Sequence, residues 1–416
     1  MWRLKGALRS FRAFVEPLGR VEFSISRSKQ RYIHVLDHLG VNRQTSDSTT
    51  RAVRRLSQLD AVRGIAALIV VLEHFSDLFY RRAGVTLTDP VSVLKASPLA
   101  ILVQGPAAVA TFFVLSGFVL SLPFEHSTIS STRFVVKRVL RLYLPFVAGL
   151  SLAAIGDAAL STHGIPTLNA WFNSSWTHPV DVADLLNHSL LVNHFEFDEY
   201  NKAYWTLAYE MQISLIFPVL FWFCALLKSR TLFYVSLMMM LLGTVHMRGV
   251  PDEAVYLISV AGMFILGLAL ARNREELKIT YAAQPPSLRW ILGASVLLIF
   301  AYSGPLGRAF KPVDIAPALR AIAAGIIVVS ALADGRWMGF LVARPCQFLG
   351  RISYSLYLVH LSVLYSLIYL SYPEGASPSG TYWLILFIGY ILLALMVSVT
   401  FHFLFEDPCT RLSQKV

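Results

Sequence analysis

The chain has 416 residues, of which 56% are hydrophobic and only 15% charged, too apolar a balance for a water-soluble globular protein. Its formal net charge is +11, which anionic lipid and membrane topology account for without nucleic acid. The three cysteines, Cys224, Cys346 and Cys409, are scattered and form no CxxC pair, so neither a zinc knuckle nor a disulfide framework is indicated.

Hydropathy predicts an all-α polytopic bundle of about ten membrane spans, at roughly 59–79, 98–121, 139–160, 205–227, 231–247, 254–271, 289–303, 313–333, 352–371 and 382–405. With the N-terminus inside, 26 Lys and Arg fall on cytoplasmic segments and 7 on the opposite loops. That asymmetry predicts both termini in the cytoplasm. The division expected is a basic N-terminal segment over 1–58, a transmembrane domain over 59–408 and a short cytoplasmic tail over 409–416.

Residues 1–20 space Trp2, Leu8, Phe11, Val15 and Leu18 as an amphipathic helix would, with Arg3, Lys5, Arg9 and Arg12 between them. Such a helix would lie in the inner headgroup layer, although a transit peptide has a similar composition. Residues 40–58 are polar and aperiodic and read as a linker.

The first span, Leu59 to Phe75 and beyond, carries Arg63 near its start and Glu73-His74 near its end. Ionisable groups inside a bilayer are costly, so they are candidates for function. The eleven residues from Arg63 to His74 turn a helix through about 1100° and rise about 16 Å, so the two share one stripe. Arg63 alone would read as a snorkelling side chain. The pair reads as the two ends of a dry slot, suited to an extended ligand with an anionic end at Arg63 and a reacting end at His74.

In the second span, Phe112-Phe113-Val-Leu-Ser116-Gly117-Phe118 places small residues where a ligand or another helix could approach the backbone. Packing alone accounts for Gly117 taken singly. The loop from Ser130 to Arg141 follows, with Arg138 and Arg141 three apart on one face. Those two are either ordinary positive-inside anchors or a phosphate clamp, since guanidinium forks match phosphate oxygens.

Residues 161–204 form one long outer loop, rich in His and acids but lacking a metal-ligand spacing. It reads as a folded lid containing a short amphipathic helix from Asp181. Glu210 follows Trp205 by five residues, about one and a half turns inside the fourth span. There it is expected to pair with His74. Spans five to eight carry little legible chemistry, His246 and Arg320 reading as packed or interfacial. In the ninth span Ser353, Tyr357 and His360 form a polar stripe. Phe405-Glu406-Asp407-Pro408 reads as a helix stop.

Five blocks in order resemble the acyltransferase-3 family of integral membrane O-acyltransferases. They are Leu59-Asp60…Arg63-Gly64…His74-Phe75, Phe112-Phe113-x-x-Ser116-Gly117-Phe118, Arg138-x-x-Arg141-x-x-x-Pro145, Trp205-x-x-x-x-Glu210, and Gly350-x-Ile-Ser353-Tyr354-x-x-Tyr357-x-x-His360. Ile213-Ser214 stands where the family commonly has Phe-Tyr, at a position that looks like packing. Some members continue into an outer hydrolase-like domain; its absence here implies transfer completed in the membrane part or with a partner.

The resemblance implies transfer of an acyl group, most often acetyl, from cytoplasmic acyl-coenzyme A to a hydroxyl of a carbohydrate or related acceptor. It implies Arg63, His74 and Glu210 as catalytic residues, His74 being the general base that Glu210 orients. Arg138, Arg141, Ser116 and Gly117 would bind the donor, Trp205, Tyr357 and His360 the acceptor, with no metal. A covalent acyl-His intermediate stays open, and so do the oligomeric state and acceptor identity. A bacterial inner membrane is the expected location. The competing class is a membrane transporter, which also uses buried Arg, His and Glu, but no internal repeat relates the two halves.

Overall fold

The structure, a computed structural model, describes residues 44–79, 90–126, 129–161, 164–191, 198–246, 251–310, 313–333, 338–373 and 378–416. Residues 57–416 form one compact unit, and residues 1–56 another, whose described part is helical. The amphipathic helix expected over residues 1–20 lies outside the described residues.

Fourteen α-helices and no strand occur among the described residues. They are α1 (Gln44–Asp77), α2 (Pro90–Ala96), α3 (Gly105–His126), α4 (Ser131–Leu160), α5 (Val182–Ser189), α6 (Tyr204–Ala225) and α7 (Ser229–Leu242). The second half holds α8 (Asp252–Arg272), α9 (Arg274–Ala283), α10 (Pro286–Arg308), α11 (Ala316–Ala333), α12 (Arg344–Ser371), α13 (Gly380–Phe401) and α14 (Asp407–Lys415).

Eight helical stretches among the described residues are long and apolar enough to cross a membrane. Only helices satisfy every backbone N–H and C=O within such a segment. The fifth expected span is the 14-residue α7, and the first is the C-terminal half of α1. The chain is thus an integral, multi-pass helical membrane protein.

Three expectations are corrected. The linker expected over 40–58 is helical from Gln44, because α1 runs unbroken to Asp77. The loop expected from Ser130 is helical from Ser131, where Ser130 caps the Arg133 N–H and starts α4 a full two turns early. The stop expected at 405–408 is a π-helical turn over His402–Glu406 that leads straight into α14. Pro408 lies in the first turn of α14.

Glycines set the closest helix crossings. A Cβ on Gly64 would run into the backbone of Leu349 and Gly350, and one on Gly350 into Asp60, so α1 and α12 touch main chain to main chain. Gly117 and Gly267 play the same part for α3 and α8, meeting Phe264 and Val114 respectively. Such crossings drive helix association where lipid offers no hydrophobic gain.

Gly117→Ala and Gly64→Ala therefore should each lower thermal stability in detergent, by about 1–3 kcal/mol or to the point of misassembly. Gly293→Ala, with nothing within 4 Å of the added carbon, should be neutral or stabilising by up to about 1 kcal/mol. Melting curves of the three variants check the contrast.

Candidate active site

The same crossings leave a cavity of about 350 Å³ between α1, α3, α4, α6, α12 and the start of α14. One end is lined by Asp60, Arg63, Arg141, Gln347, Arg351 and Asp407. Arg141 and Arg351 are exposed there, while Arg63 is about three-quarters buried. Arg63 is steadied by Asp60 one turn earlier, at 3.7 Å. Opposite them the π-helical turn presents Glu406, whose Oε2 accepts from Ser355 Oγ (2.6 Å) and lies 3.0 Å from His402 Nδ1.

Midway, Arg138 Nη2 donates to Glu210 Oε1 at 2.8 Å, and Ser116 Oγ donates to the same oxygen at 2.9 Å. Both charged side chains are more than four-fifths buried. A buried guanidinium is tolerable only when paired, and Arg138 finds that pair because α4 begins early enough to carry it inward. The expected Glu210–His74 pairing is thereby corrected. The carboxylate beside His74 is Asp77, whose Oδ2 lies 3.7 Å from His74 Nδ1.

The far end of the cavity is closed by Val109, Phe112, Thr206 and Tyr357. The Tyr357 hydroxyl is fixed by Thr206 Oγ1 at 2.5 Å and by the Ala203 carbonyl at 2.8 Å. Beyond it, ring centroids step from Tyr357 to His360 (5.8 Å), from His360 to His74 (5.3 Å) and from His74 to Trp171 (5.7 Å). His360 Nδ1 faces the carbonyls of Leu356 and Tyr357 at 3.1 and 2.9 Å, so it carries the proton. That leaves His360 Nε2 as a buried lone pair without a hydrogen-bond partner, while His74 Nδ1 faces Asp77 Oδ2 at 3.7 Å, beyond hydrogen-bond distance. Unpaired buried polar atoms are costly, and an active site is where such a cost is retained.

The outer loop folds over this end, as a lid would. Asn169 Nδ2 donates to the carbonyls of Asp77 and Leu78, at 2.6 and 3.1 Å, capping α1 just past His74. Lys202 bonds Ser174, lies 3.5 Å from Asp198 and sits 5.7 Å from the centre of the Trp171 ring. Burial pushes the Lys202 ammonium pKa down and that of the Tyr200 phenol up to about 12. Trp176, with φ of 55°, is held by its own Nε1 donating to Tyr200 O at 3.0 Å. Helix α5 forms where expected, capped by Asp181 accepting from Ala183 N at 3.0 Å. No metal-competent cluster of His, Cys, Asp or Glu occurs among the described residues.

The structure brings Arg63, Arg138, Arg141, Ser116, Glu210 and Tyr357 to one cavity, and joins His74 and His360 just beyond it. Two expected site residues stand elsewhere. Gly117 backs onto Phe264 of α8, and Trp205 packs its ring against Tyr209 and Tyr256, both at 5.9 Å. Neither is among the described residues lining the cavity. Sequence reasoning missed Asp77, Lys95 and Trp171. Asp77 was findable at three residues from His74 on the same face. Lys95, 3.2 Å from Asp77, and Trp171 reach the site only through tertiary folding.

The acyltransferase-3 family, described as an acyltransferase domain, matches residues 56–403. A protein named acyltransferase MdmB, from Streptomyces mycarofaciens, is 25% identical over 86% of this chain and 93% of its own length. Protein 2 in the picA locus of Rhizobium radiobacter is 34% identical over 27% of this chain and 51% of its own. No solved structure matches it.

Glu210→Ala should cost more stability than Arg138→Ala with Glu210→Ala together, because the single change strands a buried guanidinium. A lone break of this kind costs about 3–5 kcal/mol, and a double-mutant cycle on thermal midpoints measures it. A loss in the double variant equal to the sum of the two single losses would mean that the pair carries no coupling.

Proposed function

This chain belongs to the acyltransferase-3 family, and from that premise we propose that it moves an acyl group, by preference acetyl, from cytoplasmic acyl-coenzyme A to a hydroxyl of a carbohydrate or related acceptor. The observation that carries the reading is the cavity itself: guanidiniums at one end, and the stacked His74–His360 pair, with His360 Nε2 partnerless, one aromatic layer past the other. Both named relatives are bacterial, which supports a bacterial inner membrane. The excess of Lys and Arg at the arginine-lined end supports a cytoplasmic opening there.

In this reading Arg141, Arg351 and Arg63 receive the donor's phosphates as planar forks. Glu210 and Ser116 fix Arg138 so that it faces the donor rather than wandering in the cavity. The donor arm runs inward past Ser116, and the thioester comes to rest at Phe112 and Tyr357.

The acceptor enters from the lid side. His74 takes the hydroxyl proton, and the oxygen attacks the thioester carbonyl. The carbon–sulfur bond then breaks, and the thiolate leaves with a proton returned by the imidazolium. Asp77 stabilises that imidazolium across 3.7 Å, as the third group of a triad does. His360 Nε2 accepts from a neighbouring hydroxyl of the acceptor and so aligns the one that reacts. Trp171 shields the exchange from water.

Donor binding and transfer are measured separately, by calorimetry with coenzyme A and with labelled acetyl-coenzyme A. His74→Ala should retain binding while transfer drops about 10²–10⁴-fold, the usual worth of a general base. Arg63→Ala should weaken donor binding. Arg138→Ala with Arg141→Ala should weaken it further, by about 1.5–3 kcal/mol for each charge-assisted hydrogen bond removed. Undiminished transfer by His74→Ala would remove the base assignment. Solute uptake without transfer would favour a transporter.

A further inference from the structure

We propose that Phe112 is the acyl-size filter of this protein, closing the cavity so that only short acyl groups reach the histidine pair; the inference rests on the donor reading given above. The closed end lies where an arm anchored at the arginines must deliver its acyl group. Its walls are unequal. Tyr357 cannot move, because it is 5% exposed and its hydroxyl is tied to both Thr206 and Ala203. Thr206 is 5% exposed and tied in turn. Val109 is small and, at 7% exposed, buried.

Phe112 differs from all three. It is only half-buried, and it has no polar anchor. Its ring meets Tyr357 edge-on, with centroids 5.7 Å apart and planes at 83°. Behind Tyr357 stands the His360 ring, fully buried, so the wall cannot retreat that way.

An acyl chain longer than this end allows must therefore displace Phe112 or stay short of the histidines. Phe112 lies one helical turn from Ser116, about 6 Å along α3, so an arm passing the serine meets this ring next. Nothing polar at this end is left to hold a long chain's carbonyl elsewhere, because the Thr206 and Tyr357 hydroxyls are already bonded to each other. Size is thus set by one ring.

The test uses coenzyme A and its non-transferable thioethers, S-ethyl- and S-hexyl-coenzyme A. Each is titrated by calorimetry into the full chain in lipid nanodiscs. The wild type should bind S-ethyl-coenzyme A about as tightly as coenzyme A, and S-hexyl-coenzyme A at least about tenfold more weakly.

Phe112→Ala should improve the hexyl-to-ethyl ratio by about tenfold or more, the scale of two or more methylenes gaining a buried site. Phe112→Trp should reject S-ethyl- as well as S-hexyl-coenzyme A while still binding coenzyme A, which also certifies that variant's fold. The proposal is overturned if the wild type binds both thioethers alike, or if either variant binds coenzyme A with an unchanged ratio. If coenzyme A binds to none of the three proteins, the donor reading of the cavity falls, and the filter falls with it.

Discussion

Arg138 and Glu210 bind each other at the centre of a helical bundle, and that pairing organises what surrounds it. A guanidinium taken out of water into a protein interior loses several kcal/mol of hydration, which only a close carboxylate with good geometry offsets. The pair, with Ser116 as third member, therefore fixes how α3, α4 and α6 stand against one another. It also fixes where a cavity can exist. Three helices tied at one polar point cannot pack their full length against α1 and α12, and the gap that remains is the arginine-lined space.

Glu210 Oε1 accepts from both Arg138 and Ser116. His74 draws instead on Asp77, from the same helix, with Lys95 holding that carboxylate from the other side at 3.2 Å. His74 and Asp77 thus both sit on α1.

Much of this was legible in the sequence. Hydropathy located the eight long apolar helices because a bilayer imposes one length and one composition on any helix that crosses it. Arg63 and His74 were legible as a pair because both lie on one helix, where spacing alone decides which face they share. Tyr357 and His360 followed for the same reason. The partner of Glu210 was not legible, since it depends on how far α4 extends inward, and helix starts are set by a local cap at Ser130 that hydropathy does not see. Gly117 and Trp205 stand away from the cavity, against the backbone of Phe264 and the rings of Tyr209 and Tyr256, because a residue type consistent with binding is equally consistent with packing.

The placement of the two imidazoles follows from these constraints. His360 spends its Nδ1 proton on carbonyls of its own helix, so its ring cannot turn to satisfy Nε2 without losing those bonds. His74 is clamped between His360 and Trp171, and Trp171 is carried by a loop that Asn169 fastens to the end of α1. Neither imidazole is free to relax toward another partner. A site that binds its reacting group well in the transition state must hold its acceptors unsatisfied beforehand, so that no protein bond has to break when the hydroxyl arrives. The lid, the stacked rings and the helix-bound proton together keep the His360 Nε2 lone pair available, and a bilayer interior, poor in competing water, is where that arrangement carries the greatest electrostatic weight.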